Sequence, residues 1–495
     1  PTSWQHTLAR HERALWRNYA RLLAGKEVPV VLQEMEKAVG DLEALLEHPQ
    51  EEIVFPERGA GETGFAGHPA ESKVQRLVAL YYNYIGYGYA NQGATAKAEK
   101  AYGHALRAMR AVEFPHMEAT TRNNLARVLS DRGHMRGRRL CLDALELRKQ
   151  QGAKIPIAYA YNTLALIDND HMRPDLAWRE AAIAVAYFRQ SNHPRGLGLA
   201  LLQLGEALRR LAIRESETYH LQGDPPEVVL ETANQATNEA LTIFTEGPAG
   251  REILRRVEAM IEKGSLERDR LLLPDETQKA NHYREALYYF EQAARLAREI
   301  KNNRLELDAA VNIAWTHYYL GKDEQAETAL QEAESLLPAD CQMSEQGPHP
   351  SPERDDLYVY QLLSKMHGLR GRMALRQFRS LDEKIKAKET DKEARRRRLH
   401  EDQQAQESLR QAAKAYVLAL AYAQLLSPRS SALVVIYDAL YNSLKEFNLT
   451  ELQDFQTYIH KWRCHYKVDQ LHTTNLGDAD AFLQQTFGLG EPSDD

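Results

Sequence analysis

Apolar residues recur at helical spacing along most of the chain, and short Gly, Pro or Asn breaks separate the runs. Residues at positions i, i+3, i+4 and i+7 fall on one face of an α-helix, whereas a half-buried strand alternates apolar and polar residues. Stretches of the alternating type, rich in Val, Ile and Thr, are almost absent from the sequence. The pattern therefore predicts a protein built from amphipathic helices.

Part of this pattern repeats along the chain. The template lies between residues 86 and 106, and its small or aromatic positions are Gly86, Gly93, Ala98, Tyr102 and Ala105. Small anchor residues return at intervals of 39 to 40 residues, at Ala126, Ala165 and Gly205. The clearest later copy runs from Ala314 through Gly321 and Ala333 to Pro338. Self-similarity at a fixed period is typical of a solenoid of stacked units.

These residues resemble the tetratricopeptide repeat (TPR), a hairpin whose first helix is termed helix A and whose second is termed helix B. The resemblance implies an all-α fold, a right-handed α-solenoid of TPR-like helical hairpins. Small anchors let helices A and B of a hairpin approach closely. Gly93, Gly133 and Gly321 fall at the turn between the two helices, where a residue that tolerates positive φ is needed.

The repeat is longer than the usual TPR period of about 34 residues. Long-period repeats of this kind resemble those of STAND (MalT-type) signalling ATPases, kinesin light chains and bacterial peptide-sensing Rap proteins. The segment from Ala297 to Ala314 is most similar to the STAND group, in its C-terminal sensor domain. That resemblance implies a ligand sensor whose nucleotide-binding domain lies outside this chain, because the sequence has no G-x-x-x-x-G-K-[ST] motif.

Interruptions of the pattern predict the domain organisation. The expected segments are an N-terminal helical cap hairpin at 1–48, a loop at 49–72, TPR-like repeats at 73–338 with an insertion near 213–226, a linker at 339–354, C-terminal TPR-like hairpins at 355–467 with a charged insertion at 382–402, and a tail at 468–495. The cap is expected to bury Leu15, Trp16 and Leu42 against the first repeat.

Composition narrows the class of protein. The 495 residues include 63 Lys+Arg and 70 Asp+Glu, so the formal net charge of −7 argues against a direct nucleic-acid binder. A mean hydropathy of −0.56, with no apolar run of about 20 residues, argues against a membrane protein. The three cysteines form no C-x-x-C pair, which favours a reducing, cytoplasmic compartment.

Motifs of catalysis and metal binding are either absent or in the wrong context. Gly59–Gly64 matches G-x-G-x-x-G, but it lies in a Pro/Gly-rich loop rather than between a strand and a helix. His460 and Cys464 share a helix face without further ligands nearby, which favours a surface histidine beside a packed cysteine. Arg395–Arg398 is surrounded by acidic residues, which favours a solvated segment. The sequence thus predicts a protein that is not an enzyme and has no cofactor or metal.

The TPR resemblance also nominates ligand-binding residues, because four positions around each helix A anchor generally face the concave groove of that family. Carried to this sequence, they are Asn83, Tyr87, Asn91, Asn123, Arg127, Asp131, Asn162, Asn169, Glu206, Arg209, Arg210, Trp315, Tyr318 and Tyr319. Asparagines recur at equivalent places, and an amide that both donates and accepts suits the backbone of an extended peptide. The alternative is that these amides bridge neighbouring helices inside the solenoid.

Two functions remain open at this stage. One is a sensor domain that binds a protein or peptide ligand and regulates a larger STAND-type ATPase or transcription regulator. The other is a free-standing TPR scaffold or adaptor for the assembly of protein complexes. The mixed charges of the nominated groove favour a protein or peptide ligand over a simple anion.

Overall fold

The computed structural model describes residues 4–25, 27–47, 69–131, 136–170, 173–213, 225–246, 248–273, 277–337, 357–389 and 391–426, together with 457 and 461. All regular elements within these ranges are helical, and none is a strand. None of the described helices is long and apolar enough to cross a membrane. The chain divides into unit 1, Pro1–Leu266 with Arg295–Asn302, and unit 2, Glu267–Ala294 with Asn303–Asp495.

The boundary between the two units falls within α11 and α12, and the described helices are named here in chain order. They are α1 (Trp4–Leu23), α2 (Val28–Glu47), α3 (Pro69–Asn91), α4 (Thr95–Ala111), α5 (Pro115–Asp131), α6 (Arg136–Gln151), α7 (Lys154–Asp170), α8 (Pro174–Gln190), α9 (Pro194–Ile213), α10 (Pro226–Thr245), a 3₁₀ turn (Pro248–Arg251), α11 (Ile253–Arg270), α12 (Lys279–Glu299), α13 (Asn303–Tyr319), α14 (Asp323–Ser335), α15 (Leu357–Lys386), α16 (Lys392–Glu401) and α17 (Gln403–Leu426).

Helices that are adjacent in sequence pack against each other, which is the contact pattern of stacked hairpins. In unit 1 each helix from α3 to α10 contacts the next, and the A helices α3, α5, α7 and α9 also contact one another in turn. In unit 2, α13 packs against α14 and α15, and α15 packs against α17. The predicted fold class, an all-α solenoid of TPR-like helical hairpins, is confirmed.

The N-terminal hairpin of α1 and α2 shares a core with α3. Leu15, Met35 and Leu42 are fully buried there together with Tyr81. The expectation for Trp16 is wrong, because this side chain is 49% exposed. Its ring lies beside Tyr84 instead of entering the core, because position 16 is one residue past the buried stripe that contains Leu15.

Small residues bring the helices of a hairpin into close contact. A Cβ atom added at Gly86 would lie 2.7 Å from Cε1 of the buried Tyr102 ring, and one at Gly205 would lie 2.4 Å from Oγ1 of Thr237. In unit 2, a Cβ at Gly371 would lie 2.9 Å from the Tyr416 ring. At these points, only a residue without a side chain leaves room for the partner helix.

The turn glycines behave as the repeat pattern predicts where they are described. Gly93 has a φ of +81° and Gly321 a φ of +73°, both in the left-handed region that favours glycine. Gly133 lies outside the described residues. The charged insertion expected at 382–402 contains the end of α15 and all of α16, and Arg395 on α16 forms an ion pair with Asp382 on α15.

Two glycine substitutions within one hairpin should have opposite effects on stability. Gly86→Ala should lower the free energy of unfolding by about 1–3 kcal/mol, because the new methyl group overlaps Tyr102. Gly103→Ala on α4 is the matched control, since only a flexible Arg107 Nη1 lies within 4 Å, at 3.8 Å. The control should raise stability by up to about 1 kcal/mol through helix propensity. Urea unfolding measures both, and equal effects at the two sites would contradict the close-approach argument.

One buried histidine makes unit 2 sensitive to acid. His367 on α15 lies with its ring parallel to that of Tyr422 on α17, and the ring centroids are 5.5 Å apart. Burial lowers the pKa of His367 to about 4; Arg370 and Lys414 act in the same direction and Glu334 acts against them. The folded chain therefore holds this ring neutral at pH values where the unfolded chain, with a pKa of 6.5, binds a proton.

His367 should cause part of the loss of stability as the pH falls. Between about pH 7 and pH 5 the unfolded chain binds a proton at His367 and the folded chain does not. Lowering the pH from about 7 to about 5 should therefore lower the free energy of unfolding by about 2 kcal/mol. His367→Phe keeps the stacking on Tyr422 and should remove this share of the pH dependence. Replacing the exposed His116 by Gln is the control and should leave the pH dependence contributed by His367 unchanged. Urea unfolding at both pH values tests this, and parallel pH profiles for wild type and His367→Phe would disprove it.

Candidate functional site

The nominated residues lie on helices of the predicted type but fall into two separate sets. Those on α3, α5, α7 and α9 belong to unit 1, whereas Trp315, Tyr318 and Tyr319 on α13 belong to unit 2. The side chain of Asp131 is outside the described part of the structure. Within the described ranges, no group of three or more His, Cys, Asp or Glu residues is placed to hold a metal ion.

Two of the recurring asparagines bridge neighbouring A helices. Oδ1 of Asn83 on α3 accepts a hydrogen bond from the Thr121 hydroxyl on α5 at 3.0 Å. Nδ2 of Asn123 on α5 donates to the Thr163 hydroxyl on α7 at 2.7 Å, and its Oδ1 accepts from the Cys141 thiol at 3.3 Å. Burial raises the pKa of that thiol to about 12, so it stays protonated and able to donate. These amides are engaged inside the solenoid.

The third asparagine of the series is different. Asn162 on α7 makes no hydrogen bond to any described residue, and its Oδ1 is buried. Leu202 on α9 occupies the repeat position of Asn83, Asn123 and Asn162, so the series of asparagines itself ends at α7. The ladder of bridging amides therefore stops at α7, and the Asn162 amide keeps its hydrogen-bonding capacity.

The remaining polar residues nominated on α9 are engaged in internal contacts. Nε and Nη2 of Arg209 donate to the two carboxylate oxygens of Glu262 on α11, at 2.7 and 3.2 Å. Arg210 donates to the backbone carbonyl of Asn169 and to Glu206, both at 2.5 Å. Nδ2 of Asn169 in turn donates to the carbonyl of Gln203 at 3.0 Å. These contacts tie α7, α9 and α11 together.

The row of A helices in unit 1 turns back toward its start. Nη2 of Arg255 on α11 donates to the Tyr87 hydroxyl on α3 at 3.1 Å, although α5, α7 and α9 lie between those helices in the row. Such a contact requires that the A helices curve and present their side chains to a common interior. We term seven residues that meet there the interior cluster: Tyr19, Tyr84, Tyr87, Tyr159, Arg195, Glu252 and Arg255.

The interior cluster combines ion pairs with aromatic rings. Nε of Arg195 donates to Glu252 at 2.6 Å, and its Nη1 donates to the Tyr159 hydroxyl at 3.2 Å. The ring of Tyr19 on α1 stacks on Tyr84 with centroids 4.2 Å apart. The sequence did not indicate the two arginines. Arg195 lies ten residues before the anchor Gly205, outside the TPR groove positions, and α11 has no anchor from which such positions could be counted.

Two arginines act on the hydroxyl of Tyr87. Burial by itself would raise the pKa of Tyr87, but Arg255 and Arg195 outweigh burial, with further help from the hydrogen bonds that Asn91 and Arg255 donate. The pKa of Tyr87 is lowered as a result. The two guanidinium groups thus dominate the field around this hydroxyl even though each also has a carboxylate partner.

Several buried polar atoms on or beside the A helices of unit 1 have no hydrogen-bond partner among the described residues. Four are acceptors and two are donors: Oδ1 of Asn91, Asn162 and Asn169, Oε2 of Glu252, and Nε of Arg127 and Arg255. A buried polar atom without a partner costs about 1–3 kcal/mol. Unit 1 therefore contains both donors and acceptors whose hydrogen-bonding capacity is not used within the described part of the structure.

The aromatic residues nominated in unit 2 are covered by arginines. The guanidinium of Arg376 lies 3.7 Å from the centroid of the Tyr318 ring, and that of Arg372 lies 5.5 Å from the Trp315 ring. Trp315 and Tyr318 also pack against the core formed by α13, α14 and α15. Their faces are used in contacts within unit 2, so the unit 1 interior is the stronger candidate site.

Arg209 should matter for stability rather than only for binding. Arg209→Met should lower the free energy of unfolding by about 3 kcal/mol, because it strands the buried carboxylate of Glu262. The double variant Arg209→Met with Glu262→Met should recover at least half of this loss. Arg127→Met is the control and should change stability by less than about 1 kcal/mol. Unfolding in urea distinguishes these outcomes, and an unchanged stability of Arg209→Met would show that the ion pair is not structural.

Comparison with known proteins gives only distant similarity. No protein-family model and no curated protein matches the sequence. A solved Rap protein in complex with competence and sporulation factor is similar to this chain with 13% identity and a TM-score of 0.44, over 84% of this chain and 99% of that one. A circular tandem repeat protein with a novel repeat topology matches with 12% identity and a TM-score of 0.21, over 94% and 98% of the two chains.

Proposed function

We propose that this chain is a non-catalytic sensor or interaction domain that binds a peptide or an extended protein segment against the inner helix faces of unit 1. The observation that carries the proposal is the set of buried, unpartnered donors and acceptors on those faces. An extended backbone offers an N–H and a C=O at each residue, so it complements a surface that has both. A simple anion or cation would satisfy only one kind.

More specifically, we propose that the chain is the sensor domain of a larger STAND-type signalling ATPase or transcription regulator. Its support is the sequence resemblance of the long-period repeats and of the segment from Ala297 to Ala314. A ligand regulates such a protein only if it binds the resting and the active states with different affinities. A cytoplasmic location belongs to the same proposal and rests on the unpaired spacing of the three cysteines.

Selection from a random decapeptide display library against the full chain tests the proposal, with dissociation constants measured afterwards by fluorescence anisotropy. Asn162→Ala should weaken the selected peptides roughly tenfold, because the ligand loses one hydrogen bond in a buried setting. The melting temperature of this variant should not fall, since Asn162 has no internal hydrogen bond to lose.

The matched control is Asn238→Ala, which changes an exposed asparagine on the B helix α10 and should leave affinity unchanged. Two results would refute the proposal. One is a selection that returns no peptide with a submillimolar dissociation constant. The other is equal affinity of the selected peptides for the wild type and for Asn162→Ala.

A further inference from the structure

An aromatic path leads from solvent into the interior cluster. Trp16 is 49% exposed, and its ring centroid lies 5.9 Å from that of Tyr84. Tyr84 stacks on Tyr19, and Tyr19 meets the edge of Tyr87 at 6.0 Å. The hydroxyl of Tyr87 then receives the hydrogen bond from Arg255. A continuous row of rings therefore ends at buried polar groups.

The polar end of this path has one unpartnered donor and one unpartnered carboxylate oxygen. Nε of Arg255 and Oε2 of Glu252 have no hydrogen-bond partner among the described residues, and the two residues are only 6% and 7% exposed. Each already has one ion pair, Arg255 with Glu258 at 2.7 Å and Glu252 with Arg195 at 2.6 Å. The formal charges of these four side chains cancel.

The chemistry of a matching ligand follows from that arrangement. A carboxylate would pair with Arg255 but would place a second negative charge beside Glu252. An ammonium group would pair with Glu252 but would face the positive guanidinium of Arg255. A neutral amide donates its N–H to Glu252 and accepts from Arg255, so it satisfies both atoms without a buried unpaired charge.

We propose that the interior cluster is a subsite for an uncharged amide joined to an aromatic side chain, that is, for an internal aromatic residue of a peptide ligand rather than for its charged terminus. The aromatic side chain packs on Trp16 and Tyr84, where offset or edge-to-face contact between rings is favourable. The backbone amide of the same residue lies between Glu252 and Arg255. This inference rests on the proposed peptide-binding function, and it assigns which type of residue is preferred at one position of the bound peptide.

Three small probes that differ only in charge test the subsite on the full chain. They are N-acetyl-L-tyrosinamide, which is neutral, N-acetyl-L-tyrosine, which carries a carboxylate, and L-tyrosinamide, which carries an ammonium group. We expect titrations monitored by saturation-transfer NMR to give a dissociation constant for the neutral probe that is at least roughly fivefold lower than that of either charged probe. Glu252→Gln replaces the carboxylate by a neutral amide that can also donate. The ratio of affinities for N-acetyl-L-tyrosine and N-acetyl-L-tyrosinamide should therefore shift roughly tenfold toward N-acetyl-L-tyrosine.

Trp16→Ala should weaken N-acetyl-L-tyrosinamide roughly tenfold while the melting temperature stays near that of the wild type, because Trp16 is exposed. Trp178→Ala on the B helix α8 is the matched control and should have no effect on binding. Three results would overturn the subsite. A charged probe could bind the wild type most tightly, none of the three probes could bind, or N-acetyl-L-tyrosinamide could bind the wild type and Trp16→Ala equally. Library peptides that lose affinity in Asn162→Ala but not in Trp16→Ala would overturn it while leaving the proposed function standing.

Discussion

Close approach of the two helices within each hairpin is the constraint on which the rest of the structure depends. Where Gly86 faces the ring of Tyr102, the helices meet through backbone and a fully buried aromatic ring rather than through two layers of side chains. The same device recurs at Gly205 with Thr237 in unit 1 and at Gly371 with Tyr416 in unit 2. The apolar cores continue from one hairpin to the next, so the same helices also make the contacts between repeats.

Polar side chains contribute to the contacts between successive A helices. Asn83 and Asn123 lie at equivalent positions, and each forms a hydrogen bond with a threonine on the next A helix, Thr121 or Thr163. Asn162 occupies the same repeat position, but its Oδ1 has no hydrogen-bond partner among the described residues, and Leu202 replaces the asparagine in the next hairpin. One residue type at one repeat position thus bridges neighbouring A helices in two hairpins and makes no such bridge in the third.

The return of α11 to α3 gives unit 1 an interior in which charged and aromatic groups are buried together. Ion pairs such as Arg195 with Glu252 lose much of their Coulombic attraction to the cost of desolvation, so their presence is weak support for a purely stabilising role. Arg255 and Glu252 each keep one buried atom without a partner, and a row of aromatic rings that begins at the exposed Trp16 leads to Arg255. These features are the ones on which the proposed peptide recognition rests.

The sequence by itself determined the helices, the hairpin period and the turn glycines, because residues within one hairpin interact over short separations and leave a periodic pattern. Gly93, Gly321 and the small anchors are recognisable for that reason. Only the tertiary structure decided which polar residues are engaged and which are available. Arg209 meets Glu262 across 53 residues of sequence, and Tyr87 meets Arg255 across 168. Such contacts depend on small rotations that accumulate from hairpin to hairpin, and no local pattern of residues encodes their sum.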